Sequence, residues 1–293
     1  MARRGAIWQG CCGTVVGVRV NPLLLLAGVF LLTGCDNGGG TAAPSTSAAA
    51  TSATATSAAS SVPPVPSSSA PSSSPSPAAG KVVVLDPGHN GGNGSHPKEI
   101  NRSVPAGRGE MKPCNTTGTS TNAGYTEHAF NFDVANQVGK ALSAKGIKVI
   151  YTRSDDSGVG PCVDRRAEIG NAAKADAVVS IHADGSTSAG AHGFHVAYSS
   201  PPLNAAQGAP STALARALRD GLRSDGFTTS TYIGSAGLSA RSDLAGLNLS
   251  TRPTVLVECG NMRNAAEAAQ MSSAPGRAQY AAAIAAGIEA YLG

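Results

Sequence analysis

The alternation of apolar and polar segments after residue 80 predicts an α/β domain. Short β-branched runs alternate there with longer segments whose apolar positions recur at helical spacing. The predicted strands cover residues 81–85, 148–152, 177–181, 193–198 and 254–257. The predicted helices cover residues 126–144, 164–174, 211–224 and 277–291, with Thr126 and Ser211 as N-caps. This order favours a three-layer α/β sandwich, in which helices flank a mixed, mostly parallel β-sheet of about six strands.

The first 35 residues have a different pattern. Three arginines precede an apolar run over residues 23–32, which is too short to span a bilayer but matches the core of a signal peptide. The run ends at Leu32-Thr33-Gly34-Cys35, which resembles the lipobox of bacterial lipoproteins, where the cysteine carries the lipid. We therefore expect a lipoprotein-type signal peptide over 1–35, with a membrane anchor at Cys35. An ordinary signal peptide with an incidental cysteine is the alternative, and the long charged region leaves open a start after Met1.

Residues 36–80 are built mainly from Ser, Ala, Thr, Pro and Gly, with a single charged side chain, Asp36. Such a segment buries too little apolar surface to offset its ordering entropy, so we expect a disordered tether. A spacer without a function of its own fits the same composition. Residues 81–293 are then one domain, with length enough for a single core.

The net charge excludes one class of partner. The chain has 22 Lys and Arg against 18 Asp and Glu, but three of the arginines precede residue 36, so the remainder is nearly neutral. No basic stripe is left that would attract a polyphosphate backbone. We expect no nucleic-acid partner, and we expect a monomer.

Four ligand-type side chains stand next to structured segments. His89, His182 and Glu258 each follow an apolar run that reads as a buried strand, and Glu127 begins a predicted helix. Sites in open α/β sheets form where strands end, and two histidines with two carboxylates can supply a hydrolytic zinc centre. Glu127 shares the helix face of Phe130 and Val134, which directs it inward. Alternatively, it only complements the helix dipole.

These motifs resemble the zinc-dependent N-acetylmuramoyl-L-alanine amidases of the type 3 family, in order and over the whole of residues 81–293. The matching segments are Leu85-Asp86-Pro87-Gly88-His89, Glu127 with its helix, Val149-Ile150-Tyr151-Thr152-Arg153, Arg166, Asn171, Ala175-Asp176, Ser180-Ile181-His182-Ala183-Asp184 and Pro253-Thr254-Val255-Leu256-Val257-Glu258-Cys259-Gly260-Asn261.

The resemblance implies one Zn²⁺ in the catalytic domain, held by His89, Glu127 and His182, with Glu258 as the catalytic glutamate. It also implies hydrolysis of the amide between the lactyl carbonyl of N-acetylmuramic acid and L-alanine in peptidoglycan. Cell-wall remodelling, cell separation or turnover would be its purpose, and an exported lipoprotein would face the cell wall or periplasm. The chain departs from the family pattern at Asn90, which stands where a second glycine often follows the histidine, and at Cys259-Gly260-Asn261.

Further side chains are candidates for contacting the substrate or supporting the ligands. His195 starts a strand and either faces the pocket or lies on the surface of the sheet. Asp184, two residues after His182, and Asn90 are candidates for supporting contacts. His128 adjoins Glu127 but points about 100° away around the helix, which makes it a poor co-ligand.

The cysteines indicate one disulfide. Cys114 and Cys162 both lie in Pro/Gly-rich loops, and export would permit their oxidation; two free thiols are the alternative. A bond between them would hold the polar insert over residues 93–125 beside the pocket. Cys259 follows a buried-looking strand and is interpreted as a small core residue.

Two other functions fit the same motifs. One is a wall-binding or regulatory lipoprotein that keeps the fold without turnover, although retention of all four site residues argues against it. The other is a zinc amidohydrolase of small muramyl peptides. The absence of a GxSxG motif disfavours serine chemistry.

Overall fold

The computed structural model describes residue 78 and residues 80–293. The signal segment over 1–35, its lipid-attachment residue Cys35 and nearly all of the tether over 36–80 lie outside the described residues, so these expectations stay predictions. The strands are β1 (Val82–Pro87), β2 (Ser103–Gly107), β3 (Glu110–Pro113), β4 (Lys148–Tyr151), β5 (Ala177–Asp184), β6 (His195–Ser199), β7 (Leu238–Arg241) and β8 (Thr254–Asn261).

Six of these strands form one sheet in the order β4-β1-β5-β8-β6-β7, and β2 and β3 form a separate hairpin. Strands β4, β1, β5 and β8 are parallel, and β6 is antiparallel to β8 but parallel to β7. The central strands are mostly buried, and their apolar residues concentrate before the carboxyl ends, as expected of parallel strands covered on both faces. The predicted mixed, mostly parallel α/β sandwich is confirmed.

Helices cover both faces of the sheet. They are α1 (Pro97–Ile100), α2 (Glu127–Ser143), α3 (Val163–Ala172), α4 (Ala209–Ser224), α5 (Ala245–Asn248), α6 (Ala265–Ser272) and α7 (Ala274–Leu292). The main core joins β1, β5 and β8 to α2, α4 and α7, and a smaller apolar cluster around Val84 and Val178 lies on the opposite face with α3. Within the described residues, no helix is both long and apolar enough to cross a membrane.

Several predicted boundaries are wrong in a way that affects the site. The strands expected to stop at Ile181 and Val257 continue to Asp184 and Asn261, so His182 and Glu258 lie inside β5 and β8. Ser211 is not the N-cap of its helix. It lies in the first turn of α4, where its hydroxyl donates to the Ala206 carbonyl and accepts from the Thr254 amide.

The polar insert over residues 93–125, for which no helix or strand was predicted, contains α1 and the β2–β3 hairpin. A disulfide joins Cys114, just after β3, to Cys162, the residue before α3, which confirms the predicted pairing. The bond fixes the end of the hairpin beside the carboxyl edge of the sheet. Cys259 is a free thiol buried in the core, as expected.

Candidate metal centre

Three predicted ligands meet at the carboxyl edge of the sheet. The Oε1 atom of Glu127 lies 3.1 Å from Nε2 of His89 and 2.9 Å from Nδ1 of His182. One ligand-type atom from each residue lies within 4.8 Å of the other two. His89 follows β1, His182 lies in the neighbouring strand β5, and Glu127 begins α2. Three segments that are distant in sequence therefore converge on one point.

The hydrogen bonds of His89 fix which nitrogen faces that point. Its Nδ1 atom lies 3.0 Å from the carbonyl oxygen of Thr116. A carbonyl can only accept, so Nδ1 carries a proton, and Nε2 is the ring nitrogen that would bind a metal. A backbone carbonyl that orients the second ring nitrogen is a usual support of a metal-bound histidine. Burial lowers the pKa of His182, which favours its neutral, ligand-competent form.

The Glu127 carboxylate is held by the backbone as well as by the two histidines. Its Oε2 accepts from the Thr119 amide at 2.8 Å, and its Oε1 accepts from the Ala183 amide at 3.2 Å. Burial opposes ionisation, but the charge of His89 and the hydrogen bonds from both histidines outweigh it. The pKa of Glu127 is therefore held well below its usual range. Glu127 is therefore directed inward, as its helix face predicts, and does more than complement the helix dipole.

Two glycines let the backbone pass close to the ligands. A Cβ on Gly88 would lie 2.2 Å from the ring of His182. A Cβ on Gly118 would lie 2.8 Å from both Oε2 of Glu127 and Cδ2 of His89, and Gly118 also has a φ of +78°. Neither position can carry a side chain without displacing a candidate ligand.

The donor set fits a zinc ion. Two imidazole nitrogens and one carboxylate oxygen are ligands that Zn²⁺ prefers, and three protein ligands leave a position open for water or substrate. The three side chains line a cavity of about 600 Å³, together with the segment from Lys112 to Thr119 and residues of α3 and α5. A substrate can therefore reach the open side.

Glu258 lines the same cavity, beside the three ligands. It lies opposite His182 in the β5–β8 ladder, and residues in register project from the same face of a sheet. Burial, together with the charges of Glu127 and Asp184, raises the pKa of Glu258 well above its usual range. Its Oε2 atom is buried and has no hydrogen-bond partner among the described residues. A carboxyl group in this state is suited to accepting a proton.

The suggestion that His195 lies on the surface is wrong. Its exposure is only 1%, because β6 pairs with the central strand β8 and His195 lies opposite Glu258 there. Burial lowers its pKa to about 4, and in the described part of the chain its Nδ1 has no hydrogen-bond partner. The structure thus places Glu258 between His182 on one side and His195 on the other.

Asp184 and Asn90 have supporting positions of different kinds. Asp184 lines the cavity and accepts a 2.9 Å hydrogen bond from the hydroxyl of Tyr232, a residue that sequence reasoning missed. Asn90 bonds instead to the Gly160 carbonyl and the Gly91 amide, so it fixes a loop and does not contact the ligands through its side chain. His128 points away from the centre to Asp156, 2.8 Å away, as expected.

The fold and the site together define a hydrolase-type α/β domain with a candidate metal centre and an adjacent carboxylate. The family model described as N-acetylmuramoyl-L-alanine amidase matches residues 83–290. The N-acetylmuramoyl-L-alanine amidase Rv3717 of Mycobacterium tuberculosis is 50% identical over 218 residues, which cover 74% of this chain and 89% of that protein.

Two solved structures are similar over the same region. The amidase Ami1 of Mycobacterium smegmatis is 51% identical with a TM-score of 0.71, and the match covers 73% of this chain and 98% of that one. The apo form of Ami1 from Mycobacterium abscessus is 54% identical with a TM-score of 0.71, covering 73% and 100%. The chain therefore belongs to the N-acetylmuramoyl-L-alanine amidase family, and the expectation of an enzyme of this class is confirmed.

Proposed function

We propose that this enzyme hydrolyses the amide between the lactyl carbonyl of N-acetylmuramic acid and the amine of L-alanine in peptidoglycan, with one zinc ion held by His89, Glu127 and His182. One observation carries the proposal. In a chain of the amidase family, one potential ligand atom from each of these three residues lies within 4.8 Å of the other two, beside Glu258.

The residues divide the chemistry between them. When bound, zinc supplies a Lewis acid that polarises the scissile carbonyl and makes water a better nucleophile at neutral pH. Glu258 takes a proton from the attacking water as its oxygen bonds to the carbonyl carbon. Glu258 then returns that proton to the nitrogen of L-alanine as the C–N bond breaks. The products are a free lactyl carboxylate on the sugar and a stem peptide with a free amino terminus.

Mass analysis of the products tests this reaction. Purified sacculi and a soluble muramyl peptide are incubated with the enzyme, with and without a chelator, and Glu258→Gln serves as the inactive control. We expect stem peptides and intact glycan from the sacculi, and no products when the chelator is present. Cleavage of the soluble fragment alone would favour the small muramyl-peptide hydrolase. Binding to sacculi without any product would favour the wall-binding lipoprotein.

We also propose that the enzyme is exported and lipid-anchored through Cys35, with the segment over 36–80 as its tether. The lipobox-like Leu32-Thr33-Gly34-Cys35 after an apolar run supports this proposal. Cells that express the full chain are labelled with a radioactive fatty acid, beside Cys35→Ser. Label in the wild type and none in the variant is the expected result. Export of both proteins without label would favour an ordinary signal peptide.

A further inference from the structure

Two buried arginines surround the turn that carries His89. The side chains of Arg153 and Arg166 are 2% and 5% exposed. Arg153 comes just after β4, and Arg166 lies in the first turns of α3, so they approach the turn from different elements. Neither arginine contacts the side chain of a candidate ligand. The proposed reaction uses neither of them.

The two guanidinium groups donate hydrogen bonds to the carbonyls of all three residues of this turn, Pro87, Gly88 and His89. The Pro87 carbonyl accepts from Nε of Arg153 at 2.9 Å and from Nη1 of Arg166 at 2.7 Å. The Gly88 carbonyl accepts from Nη2 of Arg153 at 3.2 Å, and the His89 carbonyl accepts from Nη2 of Arg166 at 2.7 Å. Three consecutive peptide units are therefore held by two rigid, planar cations.

Both cations are paired, so their burial is compensated. Nη1 of Arg166 lies 2.7 Å from Oδ1 of Asp86, and Nη1 of Arg153 lies 2.9 Å from Oδ1 of Asp156. Hydroxyl groups of Thr152 and Ser180 complete the shell of Asp86. An ion pair alone does not require contacts to three successive carbonyls, which points to a second role.

The conformation of His89 supplies that role. His89 has a φ of 59°, in the left-handed region that residues with a Cβ seldom adopt. In this conformation its Nε2 points at Glu127, 3.1 Å away. The turn also passes close to the second histidine, because a Cβ on Gly88 would lie 2.2 Å from the ring of His182. The direction of the His89 ring thus depends on a backbone conformation that needs external support.

We propose that Arg153 and Arg166 act together as positioning residues, which hold the His89 turn in its left-handed conformation and so aim Nε2 of His89 at the metal site. The inference rests on the proposed metal centre. A lysine keeps the charge beside the aspartate, but its single ammonium group cannot engage several carbonyls in fixed directions. Arginine-to-lysine variants therefore remove the contacts to the three carbonyls, which we call the arginine clamp, while they keep the ion pair.

The test uses the full domain with its disulfide intact. Arg153→Lys and Arg166→Lys are compared with Arg252→Lys. Arg252 is partly buried just before β8 and donates to the carbonyl of Ala175, just before β5, at the opposite edge of the sheet. Zinc affinity is measured by competition with a chelator, and the visible spectrum of the Co²⁺-substituted protein reports ligand geometry. We expect a zinc dissociation constant about 10–100 times higher in both site variants, with an altered cobalt spectrum. Arg252→Lys should match the wild type in both.

The outcomes distinguish the role of the two arginines from the existence of the metal centre. Wild-type zinc affinity and an unchanged cobalt spectrum in Arg166→Lys would overturn the inference and leave the proposed metal centre standing. A wild-type protein that binds no metal would overturn the centre itself. If Arg166→Lys does not fold, the double variant Asp86→Asn with Arg166→Met decides, because it leaves no unpaired buried charge. Weaker zinc binding in that folded variant supports the clamp, and unchanged binding overturns it.

Discussion

Glu258 lies directly opposite His182 across the parallel β5–β8 ladder, so the two side chains share one face of the sheet at its carboxyl edge. His182 belongs to the group of three potential ligands, whereas Glu258 does not, although it lines the same cavity. At this one register position, β5 thus carries a residue that can hold a metal and β8 carries one that can move a proton. This separation makes the two roles independently testable.

Glu258→Gln and Glu127→Gln should fail in different ways. The glutamine at 258 keeps size and shape but accepts no proton, so zinc content should stay at the wild-type level while the turnover rate falls about 10²–10⁴-fold. The glutamine at 127 offers only a neutral amide to the metal and should lose zinc. Metal analysis and rates on a muramyl peptide measure both effects. If both variants lost zinc, or both still turned over, the assigned roles would be wrong.

His182→Ala should remove the metal from the folded protein. The substitution deletes one of three protein ligands and leaves a gap beside Glu127. Zinc per chain is measured by elemental analysis after dialysis, with circular dichroism to show that the fold persists. His96→Ala, which replaces an exposed histidine, is the control and should keep its zinc. Wild-type zinc content in His182→Ala would contradict the ligand set.

Gly118→Ala should damage the metal site, and Gly109→Ala should not. Both glycines have a φ near +80°, so both alanines suffer a similar backbone strain. Only at Gly118 would the new Cβ meet Glu127 and His89, whereas no atom lies within 4 Å of a Cβ at Gly109. The difference in zinc affinity between the variants isolates the clash, and we expect a loss of about tenfold or more in Gly118→Ala alone. Equal affinities would show that the 117–119 segment moves aside freely.

The strand pattern predicted much of the site, because three of its residues stand beside apolar runs that can be recognised in the sequence. His89, His182 and Glu258 each follow or end an apolar run, and parallel strands bring such positions to one edge of a sheet. The alternation of elements therefore sufficed to predict both the fold class and the convergence of three residues. The exact ends of β5 and β8 were missed, because the buried edge lets polar residues such as Asp184 and Asn261 remain in the ladder.

The parts that were missed depend on tertiary contacts. His195 has no apolar run before it, and its burial comes from pairing with β8, which no local pattern reveals. Tyr232 lies between strands in a polar segment, and only the folded chain brings its hydroxyl to Asp184. The β2–β3 hairpin is short and rich in turn residues, and its end is fixed by the disulfide rather than by a core of its own.

Removal of the disulfide should destabilise the domain. The bond between Cys114 and Cys162 spans a sequence separation of 48 residues, and the chain-entropy model gives at most about 4 kcal/mol for a loop of this length. Urea unfolding of Cys114→Ser with Cys162→Ser should show a free energy of unfolding lower by up to that amount. Peptide mapping of the exported wild type without reductant provides the control. Two free thiols there would remove the claim.

The buried His195 should make the stability of the metal-free domain depend on pH between about 6.5 and 4. Burial, aided by the charge of Arg241 and opposed by that of Asp184, lowers its pKa to about 4 in the folded protein, whereas an unfolded histidine titrates near 6.5. Above pH 6.5 the contribution is fully present. As the pH falls towards 4, the unfolded chain binds a proton that the folded chain excludes, so stability decreases by at most about 3 kcal/mol.

Urea unfolding of chelator-treated protein at pH 7 and pH 4.5 measures this decrease, and chelation removes the separate pH dependence of metal binding. His195→Gln cannot titrate and should lose less stability over the same interval than the wild type. His96→Gln, which also removes one imidazole but from an exposed loop, is the matched control. A wild-type decrease that persists unchanged in His195→Gln would show that His195 is not the group responsible. Glu258 lies opposite His195 in the β6–β8 ladder. Because His195 is neutral at pH 7, it places no positive charge beside the Glu258 carboxyl group.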